Sequence, residues 1–324
     1  MNESEVVLIL ASILVQSAPL IIAVCGETIT ERVGVINLSL DGSMLMAAMT
    51  GFVVALKTDN VWAGFLAGAL VGAFFAWIVA FGSIALRKSQ VAIGFVLTLL
   101  GDDLSAFLGQ NYTRIPGPMV KQAPIPILKD IPILGPIFFD QDIVVYFALG
   151  LVIISSWWLF RTRPGLFLRG SGERPEAAFA RGVNVNRTRY LYTVIGGALV
   201  GIAGAAYSLD VKLGWSDGHT RGLGWIALAI VIFGGWSPVR GAVGACLFGA
   251  TKALATILQR TFPEVSVVAF NTIPWLLMIG VLLLVNSDFV ERMIIHAPKR
   301  LQSPLRRLVR VSPPMALGTP FVKD

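Results

Sequence analysis

The sequence predicts an all-α, polytopic transmembrane helical bundle of about nine spans, with inverted repeats and broken helices. Composition is the first reason: hydrophobic residues make up 55% of 324 positions and charged residues only 14%, against roughly 25% charged in a typical soluble domain. Mean hydropathy is +0.75. Spacing is the second. Apolar runs long enough to cross about 30 Å of hydrocarbon recur at 6–24, 33–56, 61–86, 91–109, 142–160, 190–209, 222–236, 241–258 and 265–285. The third is a polar stretch, Gly26–Met44, set between the strongly apolar Val6–Val24 and Met44–Leu56.

Several function classes drop out. Net charge is +7, but the basic residues are dispersed over loops, so no nucleic acid is expected as a partner. Cys25 and Cys246 adjoin or lie within apolar runs and supply no disulfide framework. No His pair, cysteine cluster or Ser-His-Asp set stands out, so neither a metal site nor an intrinsic enzyme is expected. Gly244–Gly249 has the spacing of a phosphate-binding loop, but Ala250 and Thr251 follow where Lys and Ser/Thr are needed.

Taken in order, Met1–Glu5 is acidic, whereas a secretory signal starts with a basic region, so Val6–Val24 reads as a retained span. Gly26–Met44 comes next. An ionised side chain at the bilayer centre costs roughly 2.5–3.5 kcal/mol on insertion scales, so such residues face an interior or an aqueous path. Asn37, Ser39, Asp41 and Gly42 favour local backbone bonding and turns over continuous helix. Non-helical backbone at that depth is tolerated only inside protein or beside a cavity. The segment therefore predicts a helix broken within the membrane. Two blander readings stand beside it: Glu27–Arg32 as a polar loop, and Asp41 as a helix N-cap.

Small residues recur every fourth position in three spans: Gly64, Gly68 and Gly72; Gly197, Gly201 and Ala205; Gly241, Ala245 and Gly249. Each triplet puts a flat ridge on one helix face, which lets backbones approach closely. A repeat also emerges. A polar break and short helix (37–51) precedes a small-residue helix (61–86), and Gly222–Trp236 followed by 241–258 has the same order. Five crossings separate the two units, so they would be inverted, as in transporters whose paired broken helices hold a path at the midplane. That path is expected to be lined by Asn37, Ser39 and Asp41 from one unit and Trp225 from the other, with Phe95 and Thr98 as neighbours. A helix N-terminus carries unpaired amides and about half a positive charge. Asp41 would offset it, so the path suits neutral polar solutes rather than anions.

Residues 110–141 hold six prolines and form a semi-rigid loop, for docking or for capping the bundle. The positive-inside rule orients the chain. With the N-terminus outside and nine crossings, the cytoplasmic segments are 25–32, 87–90, 161–189, 237–240 and 286–324, which carry 18 of the 26 Lys and Arg; Lys252 lies within a span. The longest of these segments that joins two spans, 161–189, contains Gly-Glu-Arg-Pro-Glu-Ala-Ala. Pro175 suits a first helical turn, Glu173 and Glu176 its positive end, and Gly182 its stop. One short exposed helix over 173–181 follows. Residues 1–297 are expected to form the membrane domain, and 298–324, rich in Pro and Arg, is expected to be a disordered cytoplasmic tail attracted to anionic lipid.

The pattern Gly172-Glu173-Arg174-Pro175-Glu176-Ala177-Ala178, continued by Gly182-Val183-Asn184, resembles the coupling segment of bacterial ABC importer permeases of the ribose and branched-chain amino acid superfamily. Gly34-Val35-Ile36-Asn37 with Asp41-Gly42, and Gly222–Pro238, resemble the same family, in its nucleoside and simple-sugar subgroup. Asp41 stands where Glu is commoner there. The resemblance implies a permease subunit importing a small neutral polar solute across the bacterial inner membrane. Its coupling segment, 169–186, would meet the ATPase through Gly172, Glu173, Pro175, Glu176, Ala177, Ala178 and Gly182. Implied partners are an ATPase subunit with tandem nucleotide-binding domains, which hydrolyses the ATP, a second and paralogous permease, and an outer solute-binding protein or lipoprotein. No cofactor is implied for the chain itself. The alternative is a self-contained secondary transporter or channel, which would need intramembrane carboxylates; Asp41, Asp102 and Asp103 are the candidates.

Overall fold

The computed structural model describes residues 3–285, 295 and 312–322. Its helices are α1 (Glu3–Arg32), α2 (Leu40–Thr58), α3 (Val61–Ala80), α4 (Gln90–Gly109), α5 (Ile143–Arg161), α6 (Arg163–Glu173), α7 (Pro175–Ala180), α8 (Val185–Ala206), α9 (Leu223–Phe233), α10 (Pro238–Thr261) and α11 (Val267–Val285). No strand occurs among the described residues, which show only two isolated bridges. In lipid a helix satisfies its own backbone groups, so this is the architecture the composition demands.

Seven helices are long and apolar enough to cross a membrane, and Leu223–Phe233 and Thr272–Val281 are shorter apolar helices. Seven full spans and the short α9 are therefore described, Thr272–Val281 being part of the 19-residue α11, against about nine spans expected. At 1.5 Å per residue, the 11 residues of α9 reach about 16 Å, half the hydrocarbon thickness. α9 is a half-helix. A second difference concerns residues 25–32, expected as a cytoplasmic segment. α1 continues as helix through Arg32, and Glu27 and Glu31 are buried within it. The break falls later, at 33–39.

The small-residue ridges do what their spacing requires. A methyl group added at Gly72 would collide with the backbone of Gly197 and Gly201, and one at Gly68 with Gly201 and Ala205, so α3 and α8 pack backbone to backbone. On α10, Gly241 faces Val24 and Gly249 faces Ser17, which seats that helix against α1. The middle of α1, from Ser17 to Glu31, is buried on all sides and forms the centre of the bundle. By contrast Trp62, Leu66, Leu70, Phe74, Trp77 and Phe81 form an exposed apolar stripe along α3 at helical spacing, as a lipid-facing surface would.

The proline-rich loop lies at one end of the bundle and pairs with the 207–222 region, where Arg114 N donates to Trp215 O at 3.0 Å and Val120 N to Leu209 O at 3.0 Å. Residues 169–186 lie at the other end. There the structure corrects the expectation for the tail. Residues 312–322 dock on that segment, with Ala316 N donating to Gly172 O at 2.9 Å and Gly318 N to Gly34 O at 3.1 Å. Arg189 Nη1 adds a bond to Thr319 O at 2.7 Å. Residues 298–311 and 323–324 lie outside the described residues.

Candidate functional site

The site begins at the break between α1 and α2. Asn37 folds an Asx turn, its Oδ1 accepting from Ser39 Oγ at 2.6 Å and Ser39 N at 3.2 Å. α4 holds this turn from the side: Gln90 Oε1 accepts from Ile36 N at 2.7 Å, and Thr98 Oγ1 donates to Leu38 O at 2.7 Å. One turn on, Asp41 reaches across to the other broken unit. Its Oδ1 accepts from Gly222 N at 2.8 Å and Gly224 N at 2.9 Å, and its Oδ2 from Gly222 N at 3.1 Å. Asp41 therefore caps α9 from within the first turn of α2. Two helix N-termini, each with a partial positive charge, converge on one carboxylate. The close approach depends on hydrogen in place of side chains. A methyl group at Gly42 would strike the α4 backbone at Thr98, one at Gly101 would strike Gly42, and one at Gly224 would strike Asp41. Gly222, at φ +89°, makes the turn into α9.

The opposite end of α9 is tied as well. Arg32, the last residue of α1, donates from Nε to Trp236 O at 2.9 Å and from Nη2 to Gly235 O at 3.4 Å. The preceding Glu31 carboxylate accepts from Trp236 Nε1. A guanidinium thus meets the carbonyl-rich end of α9 and a carboxylate its amide-rich end, each matching the helix dipole. Arg32 Nη1 also lies 3.6 Å from Glu173 Oε1. One side chain joins the C-terminal end of α9 to the segment that resembles a coupling element.

The short helix expected over 173–181 is α7, and a second short helix, α6, precedes it. Thr162 Oγ1 caps α6 by accepting from Gly165 N at 3.2 Å, α6 ends at Glu173, and Pro175 starts α7. Gly182, at φ +85°, closes α7 by donating to Phe179 O at 2.8 Å. The named residues divide between two faces. Gly172 packs on the Arg32 carbonyl and Pro175 and Ala178 are buried, whereas Glu176 and Ala177 are exposed. Phe321 of the docked tail meets Phe179 at 5.7 Å between centroids.

Of the six residues expected to line a path, Asn37, Ser39, Asp41 and Thr98 are brought together, but all four are buried with their side-chain oxygens bonded to protein. In this structure they are scaffold. Phe95 is 51% exposed and Trp225 half-buried. The open volume lies elsewhere: a cavity of about 660 Å³ is bounded by α1, the 207–221 region, α9, α10 and α11, and none of the six lines it. Gln16, Tyr207, His219, Lys252 and Trp275 do. The readable signal for it was Lys252, a lone cation within a span. Arg32 and Glu31 were missed because the sequence left 25–32 as loop. Glu27 is fully buried on the same helix, with the Asn37 backbone beside its carboxylate.

Residues 9–285 match the family described as branched-chain amino acid transport system / permease component. A protein of Haloferax volcanii provisionally named a glucose ABC transporter permease is 42% identical, over 72% of this chain and 73% of the relative. The guanosine ABC transporter permease protein of Bacillus subtilis is 36% identical over 90% of this chain and 94% of its own length. The nucleoside ABC transporter permease protein of Lactococcus lactis is 34% identical, with coverage of 77% and 82%.

Proposed function

The chain belongs to the branched-chain amino acid transport system / permease component family, and from that premise we propose that it imports a nucleoside or simple sugar. It is a multi-pass membrane protein and the permease component of an ABC transporter. The relatives named for guanosine, nucleosides and glucose support a neutral polar solute. The observation that carries the reading is the double tether of α9, by Asp41 at one end and through Arg32 to Glu173 at the other. A half-helix held this way relays movement of a cytoplasmic segment to the middle of the bundle.

In this reading α6, α7 and Gly182 dock on an ATPase subunit with tandem nucleotide-binding domains, with Glu176 and Ala177 at the contact. ATP chemistry belongs to that partner and not to this chain. A second, paralogous permease completes the membrane unit, and an outer binding protein or lipoprotein delivers the solute. Phe95 and Trp225 face the path, and the buried Asn37, Ser39, Asp41 and Thr98 fix their positions. The N-terminus lies outside the bacterial inner membrane and the C-terminus inside.

The test is coupling in the reconstituted transporter. Replacing Glu173 with Lys and Ala177 with Trp together should leave the complex assembled and hydrolysing ATP while solute uptake collapses. Wild-type uptake in that double variant would overturn the assignment. The buried carboxylate of Glu27 favours one second reading, a self-contained carrier; uptake by the chain alone in ATP-free liposomes, abolished by Glu27→Gln, would support it.

A further inference from the structure

The cavity differs chemically from the break. Its volume, about 660 Å³, falls within the range of small-molecule sites. It lies toward the end of the bundle opposite the coupling segment, and its lining contains no Asp or Glu. Cations and rings stand there instead, beside the neutral amides of Gln16 and Gln259. Lys252 projects from the middle of α10, 2.9 Å from Tyr207 Oη and 5.2 and 5.3 Å from the ring centroids of Tyr207 and Phe248. No carboxylate pairs with it among the described residues. An ammonium has three protons to donate, and one such bond is made here.

The rings are held rigidly. Tyr207 stacks on His219 at 5.7 Å and 15°, and His219 is fixed by Ser208 Oγ at 3.1 Å and Ser216 O at 2.7 Å. Trp275 packs on Gly222, the residue whose amide Asp41 accepts. A solute resting on Trp275 would therefore touch the cap of α9.

This inventory discriminates between solutes. A hexose presents hydroxyl protons that need acceptors, and carboxylates are the strongest of these. A keto-heterocycle presents carbonyl and ring-nitrogen acceptors at its edge and a π-face on each side, which match an ammonium and an indole. We propose that the cavity is a binding site for an aromatic heterocycle bearing ring carbonyls, a nucleobase or its nucleoside, with Lys252 donating to a carbonyl and Trp275 against the ring. The proposal rests on the permease reading and narrows its solute to the base-bearing class.

Saturation-transfer NMR on the full-length chain in lipid nanodiscs, with guanosine, uridine and glucose as probes, tests it. Base protons of both nucleosides should receive saturation and glucose should receive none. Lys252→Met should weaken nucleoside binding by about tenfold, the loss of a charge-assisted hydrogen bond, and Lys252→Arg should restore most of it. Trp275→Leu should weaken binding where Trp275→Phe does not. If Lys252→Met fails to assemble, Lys252→Gln carries the same test. Glucose saturated as strongly as the nucleosides, or Lys252 variants that bind like wild type, would overturn the proposal. The permease reading fails separately. If glucose uptake proceeds and the Glu173/Ala177 double variant still abolishes it, only the heterocycle site is lost.

Discussion

Two polar regions sit inside the apolar bundle, and they have opposite characters. Around Asp41 the side-chain oxygens of Asn37, Ser39, Asp41 and Thr98 are bonded to protein, and glycines bring backbones into contact. Around Lys252 donors and rings face open volume. In lipid an unpaired polar group is costly. A region that satisfies all of its own groups is built to hold shape, and one that keeps donors toward a cavity is built to hold something else. The broken helix is tightly bonded and packed, and the proposed solute contact lies beside it.

The sharpest way to break this contrast is to empty the first region. Asp41→Ala leaves the buried amides of Gly222 and Gly224 without acceptors, at about 1–3 kcal/mol for each group. A large drop in thermal unfolding temperature of the purified chain is expected, with Asp41→Asn losing much less because one oxygen still accepts. Equal melting of Asp41→Ala and wild type would mean that the cap contributes nothing.

A smaller effect is expected from Arg32→Leu. It should spare nucleoside binding in the Lys252 cavity but lower solute-stimulated ATPase activity several-fold in the full complex, since the link from Glu173 to Gly235 and Trp236 is cut. Loss of binding with coupling intact would reverse the roles given to the two regions.

The smallest effect concerns pH. Burial holds the His219 imidazole below its ordinary range, with nearby Lys212 lowering it further and Ser216 and Asp217 acting in the opposite sense. The folded state therefore binds fewer protons at this position than the unfolded state. Stability should fall as pH drops through the ordinary imidazole range, and it is fully present above that range. His219→Gln should flatten this part of the melting-temperature profile, and an unchanged slope would show that His219 is not its source.

Much of the fold was legible because lipid imposes strict rules. Run length located most of the spans, and the glycine triplets marked the faces that pack closely, while which helices they meet came only from the structure. A break was visible from the chemistry of Asn37, Ser39, Asp41 and Gly42, but it falls at 33–39, and Asp41 and Gly42 open α2 instead. What stayed hidden was partnership over long separations. Nothing near Asp41 in the chain says that its acceptors serve amides 181 and 183 residues away. Arg32 looked like a loop residue because its partners lie some 200 positions on. The docked tail was read as disorder because Pro and Arg dominate its composition, while its contacts run through backbone amides and carbonyls, which carry no sequence signature.

Cysteine accessibility tests the contrast most directly. In a chain with Cys25 and Cys246 replaced by Ser, single cysteines at Thr256, in the cavity, and at Ser39, in the break, would be reacted with a small water-soluble thiol reagent with and without guanosine. The cavity position should label quickly and be protected by guanosine, while Ser39→Cys should label slowly and be indifferent to it. Fast labelling at position 39, slowed by guanosine, would place the solute at the broken helix and contradict the account.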